Sequence, residues 1–208
     1  GHAIIAGVQG VYEGSSQEVD LFADTEQRDY WVGRVAPDGS VWMAWHAYHR
    51  GRDRIRARRL GPGDPGPVHD LHGAGHVYGP PVIVASAEGT VRLLAAAFLP
   101  ADHGSCILGQ ERLGTEKSYG WVSCDGDKDR IFPTAAAVGQ DAVLLSWCSR
   151  QQGRFRIEAD LLGPDTWTPL EPVSASEGDS FRSAIAGDAE GRAWIFWDCY
   201  DEGHYAVW

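Results

Sequence analysis

The chain has little of what membrane proteins, disulfide scaffolds and common enzymes are built from. Its longest unbroken apolar run, Leu93–Leu99, has seven residues, against the roughly 20 that a membrane-crossing helix needs. Four cysteines are too few for a disulfide scaffold, and no two are spaced Cys-x-x-Cys. Eighteen basic residues face twenty-nine acidic ones, a net charge of −11, which argues against a nucleic-acid backbone as partner. No secretory signal is readable at the N-terminus. Gly-x-Ser-x-Gly, His-Glu-x-x-His and phosphate-loop patterns are missing, so the usual hydrolase, zinc-protease and nucleotide signatures do not apply. No sustained 3.6-residue apolar period occurs, and helix is expected to be minimal. Lysine is scarce too: Lys117 and Lys128 stand beside sixteen arginines, which we read as the codon bias of a GC-rich bacterial genome.

What is present points one way. Apolar residues make up 43% of the 208, enough to bury a core. Twenty-six glycines, eleven prolines and nine tryptophans suit short strands joined by tight turns. Self-comparison finds one unit four times. Its first copy runs from Ala36-Pro-Asp-Gly-Ser-Val-Trp-Met-Ala-Trp45 through Gly51 to Arg54-Ile-Arg-Ala-Arg58. Trp45, Ala95, Trp147 and Trp197 are equivalent, spaced 50, 52 and 50 residues apart, as are Gly51, Gly104, Gly153 and Gly203.

Each unit reads as four strands: an Ala-rich strand, an Asp-Gly-type turn, an aromatic strand, a loop closing at the repeated glycine, and two outer strands. Four-stranded units of about 50 residues, radially repeated, are β-propeller blades. The expected fold is therefore all-β, a single propeller domain. Residues 1–27 supply N-terminal strands completing the last blade, and the blades span 28–79, 80–129, 130–180 and 181–208. Glu18–Phe22 is expected to pair with Tyr205–Trp208, closing a monomeric four-bladed ring. The alternative is a head-to-tail homodimer in which each chain is half of an eight-bladed ring. Trp147 and Trp197 are expected to be buried between blades.

The pattern Asp-Gly-x-Val-Trp-x-x-Trp-(Asp/His)-x-Tyr, seen at Asp38–Tyr48 and echoed up to Tyr200, resembles the repeats of bacterial TolB-like and sialidase-like (BNR-type) propellers. The resemblance is one of blade design over the whole chain. It implies the fold and leaves the chemistry open, because propellers serve as binding scaffolds, lectins and hydrolases alike.

Candidate chemistry sits on the rim made by the strand two-to-three loops and the connections between units. Its acids, among them Asp102, Asp129, Asp201 and Glu202, outnumber its bases. Tyr48, Tyr78, Phe98 and Tyr200 are candidates for stacking on a ligand, with His49 and Asp201 beside them. The positions after the repeated Trp diverge, as His46, Ala96, Cys148 and Asp198; a carboxylate and an imidazole there suit acid–base work. The competing reading makes His46 and Asp198 hydrogen-bonding partners of neighbouring blades. Asp125, Asp127 and Asp129 alternate as carboxylates in a calcium loop do, without the glycine and glutamate of an EF-hand. No other cofactor is expected. The function expected is recognition of a protein or glycan at this acidic rim. A glycan-active hydrolase using rim carboxylates is the alternative, and an assembly module a third reading.

Overall fold

The computed structural model describes residues 5–6, 11–13, 17–19, 27–49, 51–61, 66–71, 76–77, 79–98, 105–110, 113, 120–123, 129–163, 166–174, 178–188 and 190–208. For 5–29, 49, 52, 76–77, 98, 105–110 and 120–123 it describes the backbone alone. Every regular element among these is a strand. The N-terminal strands are β1 (Ile5–Ala6), β2 (Val11–Glu13) and β3 (Gln17–Val19). The first repeat holds β4 (Gln27–Val35), β5 (Val41–His49), β6 (Arg52–Leu60) and β7 (Val68–Leu71). The second holds β8 (His76–Val77), β9 (Val82–Ala85), β10 (Val91–Phe98), β11 (Ser105–Gln110) and β12 (Gly120–Ser123). The third holds β13 (Asp129–Val138), β14 (Ala142–Gln151), β15 (Arg154–Leu162) and β16 (Trp167–Pro169). The last holds β17 (Asp179–Gly187), β18 (Ala193–Asp201) and β19 (His204–Val207).

Each repeat forms its own antiparallel sheet in chain order, the propeller-blade arrangement. The turns explain the regularity. In Ala36–Ser40 the Gly39 N–H donates to Ala36 O at 2.9 Å and the Ala36 N–H to Ser40 O at 2.8 Å. Pro37 presets the first turn residue, and Gly39 takes φ 79°, which glycine does without steric cost. The same bonds recur over Ser86–Thr90 and Asp188–Arg192. The hairpins between strands two and three are two-residue turns, Gln152-Gly153 and Glu202-Gly203, with both residues at positive φ, as a tight hairpin of the right twist demands.

Side-chain alternation builds the core. In β10, Leu93, Ala95 and Ala97 pack back with Trp42, Ala44, Ile55 and Ala57 of the first blade. Leu94 and Ala96 pack forward with Val143, Leu145 and Trp147 of the third. The continuous apolar run in β10 is thus a strand buried on both faces. At the next junction Phe155 meets Phe181 with ring centroids 5.0 Å apart, and the Ser146 and Ser183 hydroxyls lie 2.6 Å apart. Arg92, 3% exposed, donates to Leu162 O and Gly163 O across the second junction, each at 3.2 Å.

One expectation needs correction, and another reaches beyond the described residues. The N-terminal strands form a three-stranded sheet of their own, in which β3 pairs β2 with Glu13 opposite Gln17. Among the described residues β19 pairs with β18; the expected pairing of Glu18–Phe22 with Tyr205–Trp208 falls partly on residues 20–22, which lie outside those described. Trp147 is buried as expected at 2% exposure, but Trp197 is only half-buried, in a sheet that has three strands among the described residues where the third blade has four.

The innermost strands surround a common space. A cavity of about 610 Å³ is lined by Gly33–Pro37 of β4 and its turn, Ala85 and Ala87, Ala137 and Gly139, and Asp188. All four repeats contribute the end of their first strand to it.

Candidate functional site

The other end of those innermost strands carries the most unusual backbone in the protein. In the first repeat Asp29 lies opposite His46 and Trp31 opposite Trp45, so Tyr30 bulges out with φ 47°. In the third, Ile131 lies opposite Cys148 and Thr134 opposite Ser146, with Phe132 at φ 54°. In the fourth, Phe181 lies opposite Asp198 and Ala184 opposite Phe196, with Arg182 at φ 41°. The second repeat splits its first strand at the same register, between Val77 opposite Ala97 and Val82 opposite Leu94, and Gly79 there has φ 88°. One left-handed residue per repeat therefore sits beside the divergent strand-two position. Bulges of this kind re-aim side chains and recur next to active sites.

The side chains at the bulges face solvent: Tyr30 is 61% exposed, Phe132 47%, and the Arg182 side chain 70%. Arg182 Nη2 lies 2.5 Å from Asp198 Oδ2, tying the fourth bulge to the carboxylate singled out by sequence. His46 Nε2 lies 3.5 Å from Asp53 Oδ1. Both partners belong to the same sheet as the residue they meet. The expected inter-blade role of His46 and Asp198 is thus replaced by pairing within a blade, since neighbouring strands of one sheet offer closer charged groups. Of the divergent set, Cys148 alone is given an inter-blade bond, its thiol donating to Ser180 O at 3.4 Å. Burial, with the Asp179 and Glu158 carboxylates, pushes this thiol up to about 12, so it is no nucleophile at neutral pH. The Asp179 carboxylate is engaged as well, accepting the Phe155 N–H at 2.9 Å.

The remaining candidates are scattered more widely. Tyr48 is exposed at the end of β5, and Tyr200, also exposed, packs on Tyr205 with centroids 4.8 Å apart. Asp201 is exposed at the end of β18. His49 and Phe98 lie at strand ends on the same rim, but their side chains, like all of Tyr78, are outside the described residues. Asp125 and Asp127 are outside them too, while Asp129 begins β13, exposed and opposite Arg150. No group of three or more His, Cys, Asp or Glu among the described residues is placed to hold a metal.

Sequence reasoning missed Tyr30, Phe132 and Arg182, although a signal existed. Pro133 falls mid-strand in β13, and Pro80 follows Gly79 at the same register. Proline cannot donate to a ladder and marks a bulge there.

No protein-family model matches the sequence, and no curated relative matches it either. Solved structures do match in fold. An α-L-arabinanase of Penicillium chrysogenum, complexed with arabinobiose, superposes with a TM-score of 0.62 at 10% identity, over 86% of this chain and 60% of its own. An endo-arabinase of Bacteroides thetaiotaomicron gives 0.54 at 14% identity, covering 99% and 87%. An α-L-arabinofuranosidase of Fusarium graminearum gives 0.56 at 9% identity, covering 87% and 60%. The chain spans about 60% of the length of the first and third of these. At such identities the likeness is one of fold: the protein is an all-β propeller.

Proposed function

We propose that this propeller is glycan-active, taking an arabinan-type oligosaccharide at the bulge-bearing rim. The observation that carries the reading is the exposed set at the innermost-strand bulges, the aromatic rings of Tyr30 and Phe132 and the guanidinium of Arg182, with Asp198 of the adjacent strand paired to Arg182. Aromatic faces receive the C–H faces of a sugar, while a paired guanidinium and carboxylate satisfy its hydroxyls. The arabinan-handling activities named for the three fold neighbours support the choice of sugar. In the hydrolytic form of this proposal Asp198 is one of the carboxylates flanking the scissile bond.

The test is incubation with linear arabino-oligosaccharides, following new reducing ends and binding heat in parallel. Release of reducing ends that disappears in Asp198→Asn supports hydrolysis. Heat without product supports the second reading, recognition alone, which the engagement of Asp198 by Arg182 and the inertness of Cys148 favour. Neither heat nor product from any arabino-oligosaccharide refutes the proposal.

A further inference from the structure

The fold needs a left-handed residue at each inner-strand bulge, and it does not need a large one. The second repeat meets the requirement with Gly79, the residue for which that backbone carries no steric penalty. The other three repeats place Tyr30, Phe132 and Arg182 there, at φ 47°, 54° and 41°. For bulky side chains such a backbone is disfavoured and calls for an explanation. Packing does not supply one. All three side chains project into solvent, whereas the neighbouring Arg130 and Ser180 are buried at 4% and 0%.

We propose that Tyr30, Phe132 and Arg182 are ligand-contact residues, held by strained bulges at one register of the innermost strands, and that the strain is kept for their side chains. This rests on the glycan reading above and adds the nature of the sugar. Arg182 already has its charge matched by Asp198 at 2.5 Å. It offers directional N–H donors to hydroxyl oxygens and no unmatched positive charge to a carboxylate. The site is therefore one for a neutral oligosaccharide, two of whose rings lie on aromatic faces.

The experiment replaces each residue by glycine, giving Tyr30→Gly, Phe132→Gly and Arg182→Gly. It reads Tm together with the Kd for linear arabinotriose by calorimetry. Relief of strain offsets the extra freedom glycine gives the unfolded chain, so each Tm holds or rises while Kd weakens by about tenfold or more, the range of a lost contact of 1.4 kcal/mol. Asparagine also tolerates the left-handed region, and Tyr30→Asn and Phe132→Asn reproduce the loss at unchanged Tm. Lowered Tm in both the glycine and asparagine variants overturns the proposal, because the rings then serve the fold. Arabinotriose binding that all three glycine variants retain overturns it while leaving the glycan reading intact. A wild-type protein that binds no arabino-oligosaccharide fails the glycan reading itself and takes this proposal with it.

Discussion

The third and fourth blades share one sequence signature and live in different surroundings. Trp147 of the third is 2% exposed, its ring against Arg130 at 5.8 Å and its indole N–H donating to Glu158 at 3.3 Å. Trp197, the equivalent in the fourth, is half-buried. On the opposite face of the same strand, Trp194 and Phe196 are 56% and 48% exposed. Following one register through the repeats sharpens the contrast. Trp42, Arg92 and Leu144 are 8%, 3% and 8% exposed, and Trp194 stands out alone. Blade three has a neighbour on each side; blade four has one behind it and an apolar face in front, extended by Tyr200, Tyr205 and Val207. The repeat specifies which side chains point out of the sheet, and the neighbouring sheet decides whether they are buried.

The largest test of that contrast is a pair of substitutions. Trp147→Ala is expected to cost about 3–5 kcal/mol, the range for emptying a buried aromatic site. Trp194→Ala should stay within about 0.5 kcal/mol of the parent, as exposed substitutions usually do. Chemical denaturation of the two variants side by side measures the difference. Equal losses would mean that the front face of blade four is covered in solution, as the head-to-tail dimer among the sequence expectations requires, and a mass measurement on dilution would then find that dimer.

Arg92 gives the next effect. It occupies a position where the other repeats place Trp or Leu, and it reaches Leu162 O and Gly163 O of the third blade. Arg92→Ala strips two carbonyls, one of them buried, of a charged donor, and should cost about 2–3 kcal/mol. Arg92→Leu restores the apolar character of the register without the donors. If the leucine variant is as stable as the parent, packing and not hydrogen bonding holds that junction.

How much of this was legible beforehand differs between the fold and the site. The repeat phase, the four sheets and the tight turns followed from Asp38-Gly39, the spaced tryptophans and strand alternation, because these are local and repeated four times. Closure stayed open between a four-bladed ring and a head-to-tail dimer, because the same local strand contacts fit both. At the site, alignment picked out His46, Cys148 and Asp198 because strand two holds its register. Their partners on strand one were missed because the bulge shifts the count by one residue, and a period-two reading runs through it. His46 meeting Asp53 and Asp198 meeting Arg182 depend on rotamers that no spacing rule specifies.

A thiol extends the comparison to alkaline pH. Cys148, on the buried side of the junction between blades three and four, is held at about 12 against an ordinary value of 9.0. A group raised in the folded state gives stability that is whole below its unfolded value and is lost as pH rises through the folded one. The midpoint of denaturation should therefore fall between about pH 9 and 12, and Cys148→Ser should flatten that arm. In the native protein the thiol should resist alkylation at pH 8 while the unfolded chain reacts.

The smallest effect lies on the acid side, in the first blade. His69 packs on Trp42 with ring centroids 5.9 Å apart, and burial holds its imidazole below the ordinary 6.5. Protonation is disfavoured in the folded state, so the stability this residue allows is complete above pH 6.5. It erodes as pH falls below that value toward the lower folded one. Since the ring is only partly buried, the slope is modest. His69→Phe keeps an aromatic partner for Trp42 and removes the titration. Denaturation midpoints measured from pH 7.5 to 5 should slope less in this variant than in the parent. A slope unchanged by the substitution would show that His69 does not carry the acid sensitivity in this range, which lies above the pH at which Asp38, held below 3.8 by its hydrogen bonds from Ser40 and the nearby Arg59, begins to protonate.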